Sequence, residues 1–181
     1  MKSVLSALLC AGLTATAFAA TPRPSPPLEI KRPGGEKPLR LANYRGKPVL
    51  LVFISTTCPH CQDLTGKLVP MAREYGSRVQ FLECAVDDGA ETALPAFIEQ
   101  FQITFPVGFA NQSVVNQYLR RSFAEIFYVP HIVILDAKGI IQGDYPGESD
   151  FAKDAAPNIR AELDKMLKPP SAAKTTAAKK K

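Results

Sequence analysis

Six consecutive apolar positions, Val49-Leu50-Leu51-Val52-Phe53-Ile54, interrupt an otherwise mixed pattern. A continuous run of β-forming residues is the mark of a central strand covered on both faces, so helices must flank it. Downstream, Leu64, Leu68, Met71, Ala72 and Tyr75 recur at helical spacing, with Gly76 as terminator and an expected kink at Pro70. The pattern then predicts a strand over Val79–Val86, a helix over Glu91–Phe101, a short strand over Phe105–Val107 and a helix over Ser113–Phe123. Ile132–Leu135 and Ile140–Ile141 read as strands joined by the turn Asp136-Ala137-Lys138-Gly139, and residues 150–168 as a closing helix. Ahead of the central strand, Leu28-Glu29-Ile30-Lys31 and Leu39-Arg40-Leu41 alternate across Gly34-Gly35 and predict a small N-terminal hairpin on the domain edge. Strands alternating with helices and ending in a hairpin and a helix define an α/β domain, a central mixed β-sheet flanked by helices.

The two ends of the chain have different compositions from this domain. Lys2, the apolar run Val4–Ala11 and small residues up to Ala17-Phe18-Ala19 form the three-part pattern of a secretory signal peptide, residues 1–19, cleaved after Ala19. Its apolar stretch is broken by Thr14 and Thr16 and is shorter than the roughly 20 residues that span a bilayer, so an uncleaved membrane anchor is the lesser alternative. Cys10 lacks the small preceding residue of a lipoprotein site and leaves with this segment. Residues 20–38, with Pro22, Pro24, Pro26 and Pro27, read as a stiff linker that contains the start of the hairpin. Residues 169–181 hold only Pro, Ser, Ala, Lys and Thr and read as a disordered, solvated tail. One folded domain, residues 39–168, lies between. The formal net charge of +5 belongs to the flanks, because residues 39–167 carry 12 Lys and Arg against 15 Asp and Glu, a net −3. A basic recognition face for nucleic acid is therefore not expected on the domain.

After signal removal three cysteines remain, Cys58, Cys61 and Cys84. An odd count in an exported chain argues against a purely structural disulfide framework. Cys58-Pro59-His60-Cys61 sits where the central strand gives way to a helix. Proline suits the first helical position, where its missing N–H costs nothing, so Cys58 becomes the cap residue with its sulfur near unpaired backbone N–H groups. Those donors, the helix dipole and a protonated His60 favour thiolate over thiol, which makes Cys58 the expected nucleophile and Cys61 the resolving thiol. A zinc half-site would need further ligands, and only Cys84, His60 and His131 remain; a passive structural disulfide is the other alternative. Cys84, in Phe81-Leu82-Glu83-Cys84-Ala85-Val86, reads as a small apolar core residue, with use as a third redox thiol as the alternative. His131 is either a site residue near the sulfurs or a strand-edge histidine without a role.

Leu41-Ala42-Asn43-Tyr44-Arg45-Gly46-Lys47-Pro48-Val49-Leu50, Phe53 and the Cys58–Cys61 motif together resemble the entry of the TlpA/ResA-type thioredoxin-like proteins, within the AhpC/TSA-redoxin group. Tyr128-Val129-Pro130-His131, running into Ile132–Asp136 and Lys138-Gly139, resembles the later cis-proline loop and final hairpin of that family. The resemblance implies a thioredoxin-like fold and an exported, periplasmic protein that exchanges disulfides with the thiols of partner proteins without a cofactor, and that a redox partner recycles. It also implies that Pro130 is a cis-proline facing the disulfide and that Val129 offers its backbone to a substrate chain.

The chain departs from the family in three places. Thr56-Thr57 stand where many relatives carry Trp, and the chain has no tryptophan. Val52 stands where thioredoxin places a proton-handling acid, leaving solvent, Asp63 or Glu83 for that task. Pro59-His60 resembles the dipeptide of DsbA, an oxidant with a potential of about −120 mV, on a scaffold that otherwise resembles reductants. A copper chaperone holding Cu(I) on Cys58 and Cys61 is the alternative from another class, since soft thiolates select that ion. Chaperones of that kind on this fold have three residues between their cysteines, whereas this chain has two. A peroxiredoxin ranks last, because Leu51 and Ser55 occupy the places of its Pro and Thr.

Overall fold

The computed structural model describes residues 21–168. The expected signal peptide and tail lie outside the described residues. The strands are β1 (Arg23–Pro24), β2 (Glu29–Ile30), β3 (Leu39–Arg40), β4 (Val49–Ile54), β5 (Gln80–Ala85), β6 (Val107–Phe109), β7 (His131–Leu135) and β8 (Ile140–Tyr145). The helices are α1 (Pro59–Tyr75), α2 (Ala90–Phe101), α3 (Gln112–Leu119), α4 (Asp150–Lys153) and α5 (Ala155–Leu167). A six-stranded sheet runs in the order β1-β8-β7-β4-β5-β6, and β2 with β3 forms the small hairpin. Central β4 pairs in parallel with β5 and antiparallel with β7. This is the mixed sheet and thioredoxin-like fold expected from the sequence.

Every residue of β4 is buried, because the sheet is covered on both faces. Leu50, Val52 and Ile54 face a core built with Leu64, Leu68, Tyr75, Leu94, Ile159 and Leu163, from α1, α2 and α5. Val49, Leu51 and Phe53 face a second core with Val115, Tyr118 and Leu119 of α3 and Leu28, Ile30 and Leu39 around the hairpin. Successive strand side chains point to opposite faces, so the sheet separates these two cores.

Several elements differ from the sequence expectation. The segment expected as a spacer contains an edge strand: Arg23 and Pro24 pair with Ile141 and Ile140 of β8. Pro24 fits there because an edge strand has a side that needs no donor. Arg23 is buried and pairs with Asp144 at 2.6 Å, which ties the segment to the domain. The short strand expected at Phe105–Val107 lies at Val107–Phe109, where Phe109 and Lys31 exchange backbone hydrogen bonds. Gly108 permits this approach, since a Cβ there would strike the Lys31 carbonyl. The helix expected to reach Phe123 stops at Leu119, with Arg120 in the left-handed region at φ 58°. The closing helix breaks at Asp154 into α4 and α5. Helix α1 continues through Pro70 and ends at Gly76, whose N–H bonds to the Ala72 carbonyl.

Candidate active site

The end of β4 is tied down before it delivers Cys58. Thr56, buried, donates to Asp87 through its backbone N–H at 2.9 Å and its hydroxyl at 2.6 Å. Gln62 donates back from α1 to the Thr56 carbonyl at 2.9 Å. Asp87, just past the end of β5, and Gln62 therefore shape the turn that carries the first sulfur. Sequence reasoning singled out neither. Their only signal is polarity beside the cysteines.

Cys58 caps α1 in an extended conformation, and Pro59 opens the helix. Its Sγ lies 4.0 Å from the carbonyl oxygen of Val129. The Val129–Pro130 peptide is cis. Gly147 lets this loop pack closely, because a Cβ there would come within 2.9 Å of the Tyr128 carbonyl carbon. Cys58 is half-buried, while Pro59 and His60 are exposed. His60, Asp63, Lys67, Val129 and Pro130 line a groove of about 300 Å3 along the Val129–Pro130 peptide.

Cys61 is fully buried one turn into α1. Burial pushes its thiol well above the ordinary cysteine range; contact with Cys58 and the charge of Glu83 push it further, against a backbone hydrogen bond from Ser55. All three described cysteines are free thiols. The accessible and inaccessible sulfurs therefore sit side by side in one helical turn.

Cys84 and His131 lie elsewhere. Cys84 packs in the α3-side core, on the face of the sheet opposite Cys61. Burial alone pushes its thiol up. His131 belongs to the same α3 face: its ring stacks on Phe127 at 5.5 Å, meets Phe53 edge-on and pairs through Nε2 with Asp144 at 2.7 Å. It is therefore a buried structural histidine rather than a neighbour of the sulfurs. Asp63 is exposed and pairs with Lys67 at 2.8 Å. Glu83 is buried on the α1 face, where its Oε1 accepts a hydrogen bond from Thr65 at 2.9 Å. Among the described residues, no cluster of three or more His, Cys, Asp or Glu is placed to hold a metal ion.

A thioredoxin-like sheet with two thiols at a strand-to-helix turn, opposite a cis-proline, defines a thiol-disulfide oxidoreductase of the thioredoxin-like class. Residues 21–143 match the AhpC/TSA family, and the chain belongs to that family. The thioredoxin-like protein YneN of Bacillus subtilis is 28% identical over 125 residues, covering 68% of this chain and 69% of YneN. The solved thiol:disulfide interchange protein of Chlorobium tepidum superposes with a TM-score of 0.63 at 22% identity, over 80% of this chain and 98% of that one. A secreted disulfide oxidoreductase of Mycobacterium tuberculosis, homologous to DsbE of Escherichia coli, gives a TM-score of 0.57 at 19% identity, over 74% and 95% of the two chains.

Proposed function

We propose that this protein is exported to the periplasm and exchanges disulfides with the thiols of partner proteins through a mixed disulfide on Cys58. The observation that carries this reading is the contrast between the two sulfurs. Cys58 is half-buried at a helix start and faces the Val129 carbonyl, whereas Cys61 has no exposed surface. Cys58 is the attacking thiol. Cys61 is buried beside Cys58, so its task is to displace the partner and close the Cys58–Cys61 disulfide. A separate redox partner then returns the pair to its starting state.

The surrounding residues have distinct parts in this reading. Pro59 fixes the helix start, so the N-terminal N–H groups and the positive end of the helix dipole lie beside Cys58. Pro130 presents Val129, whose backbone accepts an extended segment of the partner. His60, at the rim of the groove, tunes the potential, with its exposure limiting the size of that effect. Export rests on the charged, apolar and small-residue pattern of residues 1–19.

Alkylation of the reduced protein tests the assignment. With iodoacetamide at pH 7, Cys58 is expected to be modified first, and Cys61 and Cys84 at least about 100-fold more slowly, since the thiolate is the reactive form and burial holds both back. Peptide mapping by mass spectrometry reads the order. Equal rates at Cys58 and Cys61 would remove the basis for naming one the attacker.

A further inference from the structure

Resolution of a mixed disulfide requires that Cys61 lose its proton in a place that water does not reach. The position from which thioredoxin handles that proton is Val52 here, an apolar residue. On the neighbouring strand the register sets Glu83 directly beside Val52, on the same face of the sheet. Glu83 is fully buried. On α1, Thr65 follows Cys61 by four residues, so both project from the same face of the helix. Thr65 Oγ1 donates to Glu83 Oε1 at 2.9 Å, and Oε2 is buried with no hydrogen-bond partner. A buried carboxyl oxygen left unpartnered needs a physical explanation.

The groups facing this carboxyl are few. From α1 and its cap they are Cys61, Thr65 and, through Cys61, Cys58. The residues in register on β4 and β6 are Val52 and Val107. Leu94 and Phe97 of α2, and Ile159 and Leu163 of α5, complete the same core. No described Lys, Arg or His forms an ion pair with Glu83. The titratable group whose charge is felt across this gap is Cys61, while Tyr75 of the same core turns its hydroxyl to Asp164.

We propose that Glu83 is the proton acceptor for Cys61, held in place by Thr65. This rests on the reading of Cys58 and Cys61 as the exchanging pair. In the resolving step the Cys61 sulfur bonds to the Cys58 sulfur, and the bond between Cys58 and the partner sulfur breaks. The partner leaves as a thiolate, reduced by the two electrons that the forming Cys58–Cys61 disulfide gives up. The Cys61 proton passes to the Glu83 carboxylate, which becomes the neutral acid. In the reverse direction the same acid returns its proton as Cys61 leaves. Burial raises the Glu83 carboxyl to about 8, with the Thr65 hydrogen bond pulling the other way, so it can change charge under ordinary conditions. Asp63, the other candidate acid beside the cysteines, is exposed and paired with Lys67.

Reaction of the reduced full-length protein with the aromatic disulfide DTNB separates the two steps. The first thionitrobenzoate is released as Cys58 attacks DTNB and forms a mixed disulfide with it, and the second as Cys61 resolves that disulfide. In the wild type the rate of the second phase should rise with pH and level off above about 8, as the carboxylate form fills. Glu83→Gln keeps the shape and the Thr65 contact but cannot take a proton. It should slow the second phase about 100-fold at pH 8, abolish the levelling and leave the first phase unchanged. Thr65→Val removes the hydrogen bond that favours the charged carboxyl, so it should move the inflection to higher pH. A second phase with wild-type rate and profile in Glu83→Gln overturns the proposal. Should Glu83→Gln fail to fold, an unmoved inflection in Thr65→Val overturns it. Loss of the first phase in the wild type, by contrast, would strike at the Cys58 reading itself.

Discussion

Cys61→Ser is expected to convert the protein into a covalent trap. The variant keeps the helix start, the cis-proline loop and the half-buried Cys58 sulfur, so attack on a partner disulfide proceeds. Nothing remains to displace the partner. Cys84 cannot substitute, because it packs on the opposite face of the sheet. Turnover of a disulfide substrate should fall by about 1,000-fold or more, as when one member of a concerted pair is removed. Non-reducing gels of periplasmic extracts should show high-mass adducts that disappear with dithiothreitol and map to Cys58. Cys58→Ser should lose turnover equally but form no adducts, and Cys84→Ser should behave as the wild type. Adducts that persist in the Cys58→Ser/Cys61→Ser double variant would show that the chemistry runs through another thiol.

Asp144→Ala carries the largest expected loss of stability. Asp144 on β8 accepts from Arg23 on β1 at 2.6 Å and from His131 on β7 at 2.7 Å, so one carboxylate joins three strands. Arg23 is buried, and its Nε and Nη1 have no other partner. Removing the carboxylate leaves a buried guanidinium without compensation, which costs about 3–5 kcal/mol. For a domain of this size that corresponds to a fall in Tm on the order of 10 °C. Arg23→Met should cost less, since the Asp144 carboxylate it leaves behind keeps its hydrogen bond to His131. Burial alone would raise the Asp144 carboxyl, but His131 and Arg23 outweigh it and hold the group below the ordinary carboxylate range. The stability it contributes is therefore present above that range and is lost as the pH falls through its own, lower value. Thermal unfolding followed by circular dichroism at neutral pH measures the effect. A Tm within 2 °C of wild type for Asp144→Ala would contradict the assignment of Asp144 as the tie between these strands.

What was legible in the sequence follows the range of the interactions involved. The apolar run of β4, the periodicity of α1 and the Cys-Pro-His-Cys turn are local patterns, and the structure contains all three where they were expected. The edge strand β1 was not legible, because its identity depends on Asp144, 121 residues away in sequence from Arg23. Proline content alone made that segment look like a spacer. His131 follows the cis-proline, which draws attention to it, yet strand alternation sends its ring to the face away from Cys61. Glu83 could be named as one candidate acid, but its position beside Val52 exists only once β4 and β5 pair in register. The early end of α3 at Arg120 leaves Phe123, Ile126 and Tyr128 exposed on the loop leading to Val129. The apolar spacing of that stretch had extended the helix to Phe123.

The most direct measurement is a redox titration of the full-length protein against reduced and oxidised glutathione, with acid quenching and peptide mapping of the thiols. The account predicts one two-electron transition that forms the Cys58–Cys61 disulfide, leaves Cys84 reduced, and lies above the value of about −270 mV typical of thioredoxin. A transition that survives loss of Cys58 would contradict the assignment of the redox pair, and a potential at or below −270 mV would contradict the oxidising character assigned to Pro59-His60.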